Sequence, residues 1–242
     1  MSQVHLPRIL ALWSAPRCRS TAFFRMMAER GDFQLLHEPF SYLAEFGSVE
    51  VAGERIGSEP DLLAAIRRLA AEQPLFFKDT TDERYPGVLA DTGFLREARH
   101  TFIVRDPVET IASYYAINPE VKIHQIGFEA QYELFQRVWE ITGERPVVVD
   151  AGDLVAAPEQ TVKAYCDALS LPYVAEALSW NEGSRGEWAP SEKWHKDVSN
   201  SRGFEAKSGG DRVDVRNHPV LASYLEHHLP FYRELSSHRL GA

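Results

Sequence analysis

The sequence predicts a three-layer α/β fold, in which a central parallel sheet of about five strands is flanked by helices. Short, solidly apolar runs alternate along the chain with stretches whose apolar residues recur at helical spacing. The apolar runs are not interleaved with polar residues, as they would be in strands with one wet face, so we expect both faces of the sheet to be covered. At 242 residues, the chain suits a single domain with a large core.

Five strands and five helices account for most of the chain. The predicted strands are residues 8–13, 33–38, 74–78, 100–105 and 146–150. The predicted helices are residues 20–31, 59–72, 106–117, 158–170 and 218–235. Several of these helices have a proline at or near the first position, which favours a helix start.

A polar stretch rich in tryptophan, glycine and serine lies between the last predicted strand–helix unit and the final helix. It runs over residues 179–210 and is too long for a simple connection. Its three tryptophans, Trp180, Trp188 and Trp194, argue against disorder. We therefore expect an ordered lid, or substrate loop, over the functional site.

Composition and charge narrow the functional classes. Apolar residues make up 44% of the chain and charged residues 25%, as in ordinary globular proteins, and no run is long enough to span a membrane. The formal charge of −9 excludes a general nucleic-acid binder, which would be basic. With two cysteines and no signal peptide, the chain is expected in the cytoplasm, as a monomer or homodimer without nucleic-acid or membrane partners.

The first predicted strand runs into a loop with the outline of a phosphate-binding loop. Its sequence from Ser14 to Thr21 is SAPRCRST, and a helix follows directly. Backbone amides at a helix N-terminus favour an anion, and an arginine such as Arg17 can bind its oxygens bidentately. In an open α/β sheet, ligands bind beyond the carboxyl ends of the strands, which is where this loop lies.

The loop differs from that of nucleoside triphosphatases. It does not match G-x-x-x-x-G-K-[ST], and it lacks the lysine of that motif. Asp150, after the fifth strand, is the one residue that could be assigned to magnesium binding in such an enzyme. A kinase or ATPase is therefore disfavoured but remains an alternative.

A second motif follows the fourth strand, and here the sequence resembles a known family. The stretch RDPVETIAS, from Arg105 to Ser113, resembles the 3′-phosphate-binding motif of sulfotransferases that use 3′-phosphoadenosine-5′-phosphosulfate (PAPS). The first loop is similar to the 5′-phosphosulfate loop of that family, Pro-Lys-Ser-Gly-Thr-Thr, with Pro16 at its proline. The resemblance is closest to bacterial sulfotransferases whose loop reads Trp-Ser-x-Pro-Arg-x-x-Ser-Thr.

Two further stretches carry the resemblance, which covers roughly residues 8–172. VVVDAGDLVAAPEQTVKAYCDALSLP is similar to a strand–helix segment of the family, and FFKDTTD lies where the family has a strand ending in lysine. Cytosolic aryl sulfotransferases carry a catalytic histidine two residues after that lysine. Thr80 occupies this position here, so that base is missing.

The resemblance implies a P-loop-like sulfotransferase fold, PAPS as co-substrate, 3′-phosphoadenosine 5′-phosphate (PAP) as product, and no metal. The residues implied to hold the 5′-phosphosulfate are Arg17, Cys18, Arg19, Ser20 and Thr21. Those implied to hold the 3′-phosphate are Arg105 and Ser113, with Arg202 and Gly203 as a C-terminal phosphate contact. Arg17 and Lys78 are the cations expected to stabilise the leaving phosphate, and Arg17 is too weak an acid to protonate it.

Two residues compete for the role of general base toward the acceptor. Glu38 ends the second strand beside the first loop, where carboxylates serve as base in some sulfotransferases, and we favour it. His195 is the alternative, since an unperturbed histidine has a pKa of about 6.5. Asp79 and Asp82 are minor candidates. His37 should face away from Glu38 by the period of two and pack in the core.

The acceptor is expected to be a small molecule with a hydroxyl or amine group, such as a product of secondary metabolism. Aromatic residues that could line its pocket are Phe40, Tyr42, Tyr114, Tyr115, Trp188 and Trp194. The alternatives are a small-molecule kinase or other P-loop phosphotransferase, and a non-catalytic nucleotide-binding relative.

Overall fold

A five-stranded parallel sheet forms the centre of the computed structural model, which describes residues 6–205 and 213–241. The strand order is β2-β5-β1-β6-β7, so the predicted parallel sheet is confirmed. A separate antiparallel hairpin consists of β3 and β4. The strands are β1 (Ile9–Ser14), β2 (Gln34–His37), β3 (Val49–Val51), β4 (Glu54–Ile56), β5 (Leu75–Thr80), β6 (Arg99–Val104) and β7 (Val147–Asp150).

Helices connect the strands and cover both faces of the sheet. In chain order they are α1 (Ser20–Arg30), α2 (Pro39–Phe46), α3 (Glu59–Glu72), α4 (Pro86–Ala90), α5 (Thr92–Glu97), α6 (Pro107–Tyr115), α7 (Phe128–Thr142), α8 (Ala151–Ala156), α9 (Pro158–Ala168), α10 (Lys196–Ser199) and α11 (Leu221–Ser237). Three short 3₁₀ helices span Ile123–Ile126, Ala175–Leu178 and Gly186–Trp194.

The alternating side chains of β1 divide the core into two clusters. Leu10 and Leu12 pack in a cluster with residues of α1, α6 and α9. Ile9, Ala11 and Trp13 pack in a second cluster with residues of α3, α5 and α7. Because β1 is buried on both faces, its sequence is apolar at every position, as the sequence pattern predicted. The three-layer architecture is confirmed.

The strand order opens a crevice at the carboxyl end of β1. The chain passes from β1 to the β5 side of the sheet, whereas β6 and β7 lie on the other side of β1. Connections that diverge in this way leave space between the loops that follow neighbouring strands, and ligands of open α/β sheets bind there. The loop after β1 lies at this point, between the residues that follow β5 and β6.

The sequence prediction missed the hairpin of β3 and β4 and the helices α2, α4, α5, α7, α8 and α10. The hairpin of β3 and β4 turns at Ala52 and Gly53, whose φ values of 51° and 81° suit a two-residue hairpin turn. Its strands are only three residues long, too short for a periodic pattern to reveal. The helix α7 packs between β1, β6 and α11.

The C-terminal part of the chain returns to the sheet. Helix α11 contributes Leu221 to the first core cluster and Leu235 to the second. After it, the backbone N–H of Leu240 donates to the carbonyl of Val148 in β7 at 2.8 Å. Residues 206–210 of the predicted lid lie outside the described residues. Among the residues that are described, no helix has the length and apolar character needed to cross a membrane.

Candidate active site

The loop between β1 and α1 has two residues in the left-handed backbone conformation, although it contains no glycine. Arg17 and Arg19 have φ values of 65° and 63°, in the left-handed region that costs a non-glycine residue of the order of 1–3 kcal/mol. Arg19 directly precedes α1, and its side chain makes no capping hydrogen bond to the first turn. The Arg19 side chain therefore does not occupy the first backbone N–H groups of α1. These groups lie at the N-terminal end of the helix, which attracts anions.

A cavity of about 430 Å³ lies over this loop at the carboxyl end of the sheet. It brings together ten of the twelve residues that the sequence assigned to the site. These ten are Arg17, Arg19, Ser20, Thr21, Glu38, Lys78, Arg105, Ser113, His195 and Gly203. They come from the ends of β1, β2, β5 and β6 and from the C-terminal third of the chain.

The hydroxyl and guanidinium groups of the loop have specific contacts. Ser20 Oγ accepts a hydrogen bond from Ser14 Oγ at 2.8 Å. Arg17 donates through Nε to Ser113 Oγ at 3.1 Å and through Nη1 to the carbonyl of Trp194 at 2.5 Å. Arg17 therefore connects the first loop to α6 and to the tryptophan-rich segment. Arg19 Nη1 donates to the carbonyl of Glu205 at 2.9 Å.

The side chain of Cys18 lies in the core, which corrects its predicted role in phosphosulfate binding. It is fully buried in the first core cluster, with Sγ 3.9 Å from Thr110 Oγ1, and it does not line the cavity. Burial raises the pKa of Cys18 to about 12, so the group is a neutral thiol. Any contribution of this position to anion binding comes from its backbone.

The second arginine motif lies beside the first loop because β6 is a neighbour of β1. Arg105 Nη1 donates to the carbonyl of Arg17 at 3.0 Å, and its Nη2 donates to Glu109 Oε2 at 2.6 Å. Asp106 caps α6 by accepting from the amides of Val108 and Glu109, which sets the direction of that helix. Ser113, two turns from Arg105, then faces the same cavity.

The predicted C-terminal phosphate contact is only partly placed at the cavity. Gly203 lines the cavity, and its backbone forms an isolated antiparallel bridge with Ser179. The side chain of Arg202 is 74% exposed, pairs with Glu182 at 3.0 Å and does not line the cavity. The structure therefore does not support the predicted phosphate contact of Arg202, because its guanidinium group points to the surface carboxylate of Glu182.

Glu38 is held at the centre of the site by its neighbours in the sheet. Its backbone N–H donates to the carbonyl of Lys78 at 2.7 Å, and its Oε1 accepts a hydrogen bond from Lys78 Nζ. Both side chains are almost fully buried. Glu38 has a φ of 49°, which ends β2 abruptly and begins α2. Buried charges are stable only when paired in this way.

This turn places His37 and Glu38 on the same side, contrary to the prediction from strand period. His37 Nδ1 lies 3.9 Å from Glu38 Oε2 because Glu38 has left the extended conformation. The His37 ring is buried as predicted, with its centroid 5.0 Å from that of Phe24 and 5.7 Å from that of Trp188.

His195 is joined to the rest of the site by a chain of hydrogen bonds. Its Nδ1 lies 3.1 Å from Thr21 Oγ1, and its Nε2 lies 2.9 Å from Ser191 Oγ. The chain continues from Ser191 Oγ to Tyr42 OH at 2.7 Å and from Tyr42 OH to His37 Nδ1 at 2.9 Å. Burial lowers the pKa of His195 to about 2, with Glu38 acting in the opposite direction, so the ring is neutral and weakly basic.

The two aspartates considered as minor bases have different surroundings. Asp79 is fully buried and accepts from the amides of Phe40 and Ser41, capping α2, and it does not line the cavity. Burial raises the pKa of Asp79 to about 7, against the hydrogen bond from Ser41. Asp82 does line the cavity, and burial raises its pKa to about 6.

The cavity lining is largely polar and contains few of the aromatic residues predicted for it. Of the six aromatic residues predicted to line an acceptor pocket, only Tyr114 and Trp194 do so. Phe40, Tyr42 and Trp188 are buried, because most aromatic side chains belong to the core. Polar residues that line the cavity and that the sequence analysis did not single out include Ser41, Glu45, Glu83, Asn118 and Gln125.

Comparisons with known proteins agree with this arrangement. A family model described as a sulfotransferase domain matches residues 7–239, so the chain belongs to the sulfotransferase family of enzymes. The predicted family is thereby confirmed. The "Branched-chain-amino-acid aminotransferase-like protein 1" of Arabidopsis thaliana is 27% identical over 96% of this chain. The chain spans 42% of that relative's length.

Solved sulfotransferase structures show a distant likeness. The "Sulfotransferase Domain from the Curacin Biosynthetic Pathway" matches 98% of this chain and 100% of its own, with 15% identity and a TM-score of 0.46. The mouse sulfotransferase SULT7A1, solved in complex with PAP, matches 94% of this chain and 82% of its own, with 12% identity and a TM-score of 0.46. At this identity and TM-score, the likeness adds nothing to the family assignment.

Tyr42→Phe is expected to lower the free energy of unfolding by about 1–3 kcal/mol and to loosen the segment Gly186–Trp194. The substitution removes the hydroxyl between His37 Nδ1 and Ser191 Oγ and leaves buried groups unpaired. Urea unfolding measures the first effect. Trypsin cleavage after Arg185, which precedes the segment, and after Lys193, which lies within it, measures the second.

Tyr132→Phe is the matched control, because its hydroxyl only accepts a hydrogen bond from Gln136 one turn along an exposed part of α7. Its effect on stability should stay within about 0.5 kcal/mol. Equal stability and equal cleavage rates for the two variants would show that the Tyr42 hydroxyl does not hold this segment.

Proposed function

We propose that the protein transfers a sulfuryl group from PAPS to a hydroxyl, or an amine, of a small-molecule acceptor. The observation that carries this proposal is the meeting of two arginine-bearing sites in one cavity. Arg17 and the first amides of α1 lie at the end of β1, and Arg105 and Ser113 lie beyond the neighbouring β6. Two anion sites side by side suit a nucleotide with a phosphate at each of two positions.

The charges at this end of the cavity favour an anionic ligand. Burial lowers the pKa of Arg17, and the nearby Arg105 guanidinium lowers it further, against the effect of Asp197. An anion placed between the two guanidinium groups would relieve that repulsion. In the proposed complex, the 5′-phosphosulfate binds the amides of α1 with Ser20 and Thr21, and the 3′-phosphate binds Arg105 and Ser113.

Binding of the 5′-phosphosulfate is expected to change the partners of Arg17. Ser113 Oγ accepts a hydrogen bond from Arg17 Nε and can still donate its own proton to the 3′-phosphate, whereas Arg17 turns from the serine to the 5′-phosphosulfate in the proposed complex. The same movement breaks the contact of Arg17 with the carbonyl of Trp194. The tryptophan-rich segment, residues 179–205 as described, keeps its contacts with the first loop through His195 and Glu205, and it is the proposed lid over the nucleotide.

Glu38 is the proposed general base. Its carboxylate lines the cavity, and the neutral, weakly basic His195 ring beside it is the poorer proton acceptor. In the transfer step, the acceptor oxygen forms a bond to sulfur while the bond from sulfur to the 5′-phosphate oxygen breaks. The acceptor proton passes to Glu38, and PAP leaves with the negative charge stabilised by Arg17 and Lys78.

The kinase alternative receives no support from the described site. Asp150, its candidate magnesium ligand, accepts from the amides of Gly152 and Asp153 as the cap of α8 and does not line the cavity.

Cys18 and Cys166 are free, buried thiols, which supports a reducing, cytoplasmic location. The polar lining of the cavity supports a polar acceptor, as some products of secondary metabolism are.

PAP is expected to raise the melting temperature of the protein, and Mg-ATP is expected to have a smaller effect. At about 100 times its dissociation constant, a ligand adds about 2.7 kcal/mol to stability, which thermal denaturation detects. Arg105→Ala should abolish the shift because it removes the proposed 3′-phosphate contact. Arg99→Ala, at the opposite end of the same strand and paired with Glu144 on the surface, should retain it. A larger response to Mg-ATP than to PAP would overturn the proposal.

Glu38→Gln is expected to retain PAP binding and to slow transfer by about 10²–10⁴-fold, since the amide cannot accept the acceptor proton. The measurement is release of PAP from PAPS with an alcohol acceptor identified by screening. Glu50→Gln, on the exposed face of the hairpin and outside the cavity, serves as the control with unchanged turnover. Normal turnover by Glu38→Gln would exclude Glu38 as the base.

A further inference from the structure

Two histidines and one carboxylate converge at the wall of the cavity. Donor atoms of His37, Glu38 and His195 all lie within 4.8 Å of one another. Glu38 Oε2 is 3.9 Å from His37 Nδ1 and 3.9 Å from His195 Nε2. Lys78 binds the other carboxylate oxygen, Oε1, so Oε2 is the oxygen that faces the two imidazoles.

We propose that His37, Glu38 and His195 form a reversible zinc-binding site. Two imidazole nitrogens and one carboxylate oxygen are ligands that Zn²⁺ takes at about 2.0–2.2 Å in sites that keep the fourth position open. Tetrahedral geometry at these bond lengths requires donors about 3.4 Å apart. Each carboxylate–imidazole separation therefore has to shorten by about 0.5 Å, and the imidazole–imidazole separation, which is at most 4.8 Å, by up to about 1.4 Å. Such a change is within the reach of side-chain rotation.

The backbone and the packing around the three side chains pre-organise them. The left-handed turn at Glu38 directs its side chain to the same side as that of His37. The His195 ring packs edge-on against the His37 ring, with centroids 4.9 Å apart, and both contact Trp188. Thr21 Oγ1 lies 3.1 Å from His195 Nδ1, an outer contact that keeps Nε2 directed at the cluster.

The cluster has an entry path for a metal ion, because Glu38 and His195 line the cavity.

Three neighbouring side chains limit the zinc affinity and make the binding reversible. The hydroxyls of Tyr42 and Ser191 contact the same nitrogens that a metal would bind, so they have to turn aside or supply the fourth ligand. The Lys78 ammonium on Oε1 repels a dication. Zinc would occupy the oxygen of the proposed base, and we therefore expect it to inhibit transfer. This inhibition, unlike the binding itself, rests on the proposed function.

The test is titration of ZnCl₂ into untagged, chelator-treated full-length protein, followed by calorimetry without nucleotide. The expected result is one zinc ion per chain, with affinity reduced at least about tenfold in His37→Gln and in His195→Gln. His227→Gln is the control, because His227 forms an exposed pair with Glu129 that could also attract zinc. Its affinity should equal that of the unaltered protein.

Two further measurements keep the proposal falsifiable if a variant folds poorly. Circular dichroism reports whether each variant is folded, and Co²⁺ bound to the unaltered protein should show the visible absorption of a tetrahedral nitrogen–oxygen site. Absence of zinc binding, binding that persists in both histidine variants, or loss of binding in His227→Gln would overturn the proposal. Zinc binding without inhibition of PAP release would contradict the inhibitory role alone, and PAP binding tests the proposed function separately.

Discussion

The buried ion pair between Lys78 and Glu38 sets the geometry on which the rest of the site depends. Lys78 in β5 pairs with His37, the last residue of β2, and Glu38 directly follows His37. Taking two charges out of water is costly, and removal of either partner would leave the other buried and unpaired, at a cost of about 3–5 kcal/mol. The pair therefore holds the left-handed turn at Glu38 and aims its second oxygen at the cavity.

Other interactions reinforce that turn from both sides. Asp79, next to Lys78 in β5, caps α2 and so fixes the helix that Glu38 precedes. On the cavity side, the chain of hydrogen bonds from Thr21 through His195, Ser191 and Tyr42 reaches back to the same turn. The proposed base, the first loop and the tryptophan-rich segment are thus mechanically connected, and a ligand that moves one of them acts on the others.

The proposed anion-binding loop after β1 differs from most phosphate-binding loops because it contains no glycine. Glycines give phosphate-binding loops their left-handed residues at little cost, whereas here Arg17 and Arg19 adopt that conformation. Strained residues persist where the surrounding structure over-determines them, and they cluster at functional sites. Here Arg105 donates to the carbonyl of Arg17, which supports the loop directly. In a chain of formal charge −9, this local group of arginines is what makes an anion site possible.

The sequence predicted the sheet well because burial on both faces leaves an unambiguous apolar pattern, as in β1. The motif around Arg105 and Ser113 was also readable, since a strand, an aspartate cap and a helix fix their spacing. Cys18 and Arg202 could not be placed, because which way a loop side chain points depends on contacts distant in sequence. The weak basicity of His195 follows from its burial where the tryptophan-rich segment packs against His37 and Thr21, and no local sequence pattern encodes that packing.

The convergence of His37 with Glu38 illustrates the same limit. A period of two holds only while the backbone stays extended, and a single left-handed residue ends it. The acidic lining that includes Glu45 and Glu83 was equally hidden, because these residues meet only when α2 and the end of β5 pack together. Sequence patterns thus predicted the five strands of the sheet, five of the helices and the motifs, whereas the shorter elements and the direction of individual side chains required the tertiary structure.

The most direct test of the central claim is a crystal structure of the protein with PAP. The account predicts the 3′-phosphate on Arg105 and Ser113, and the 5′-phosphate on the first amides of α1 with Lys78 and Glu38 facing it. It also predicts that Arg17 has left Ser113 for the 5′-phosphate. A nucleotide bound outside this cavity, or bound within it while Arg17 still contacts Ser113, would contradict the account.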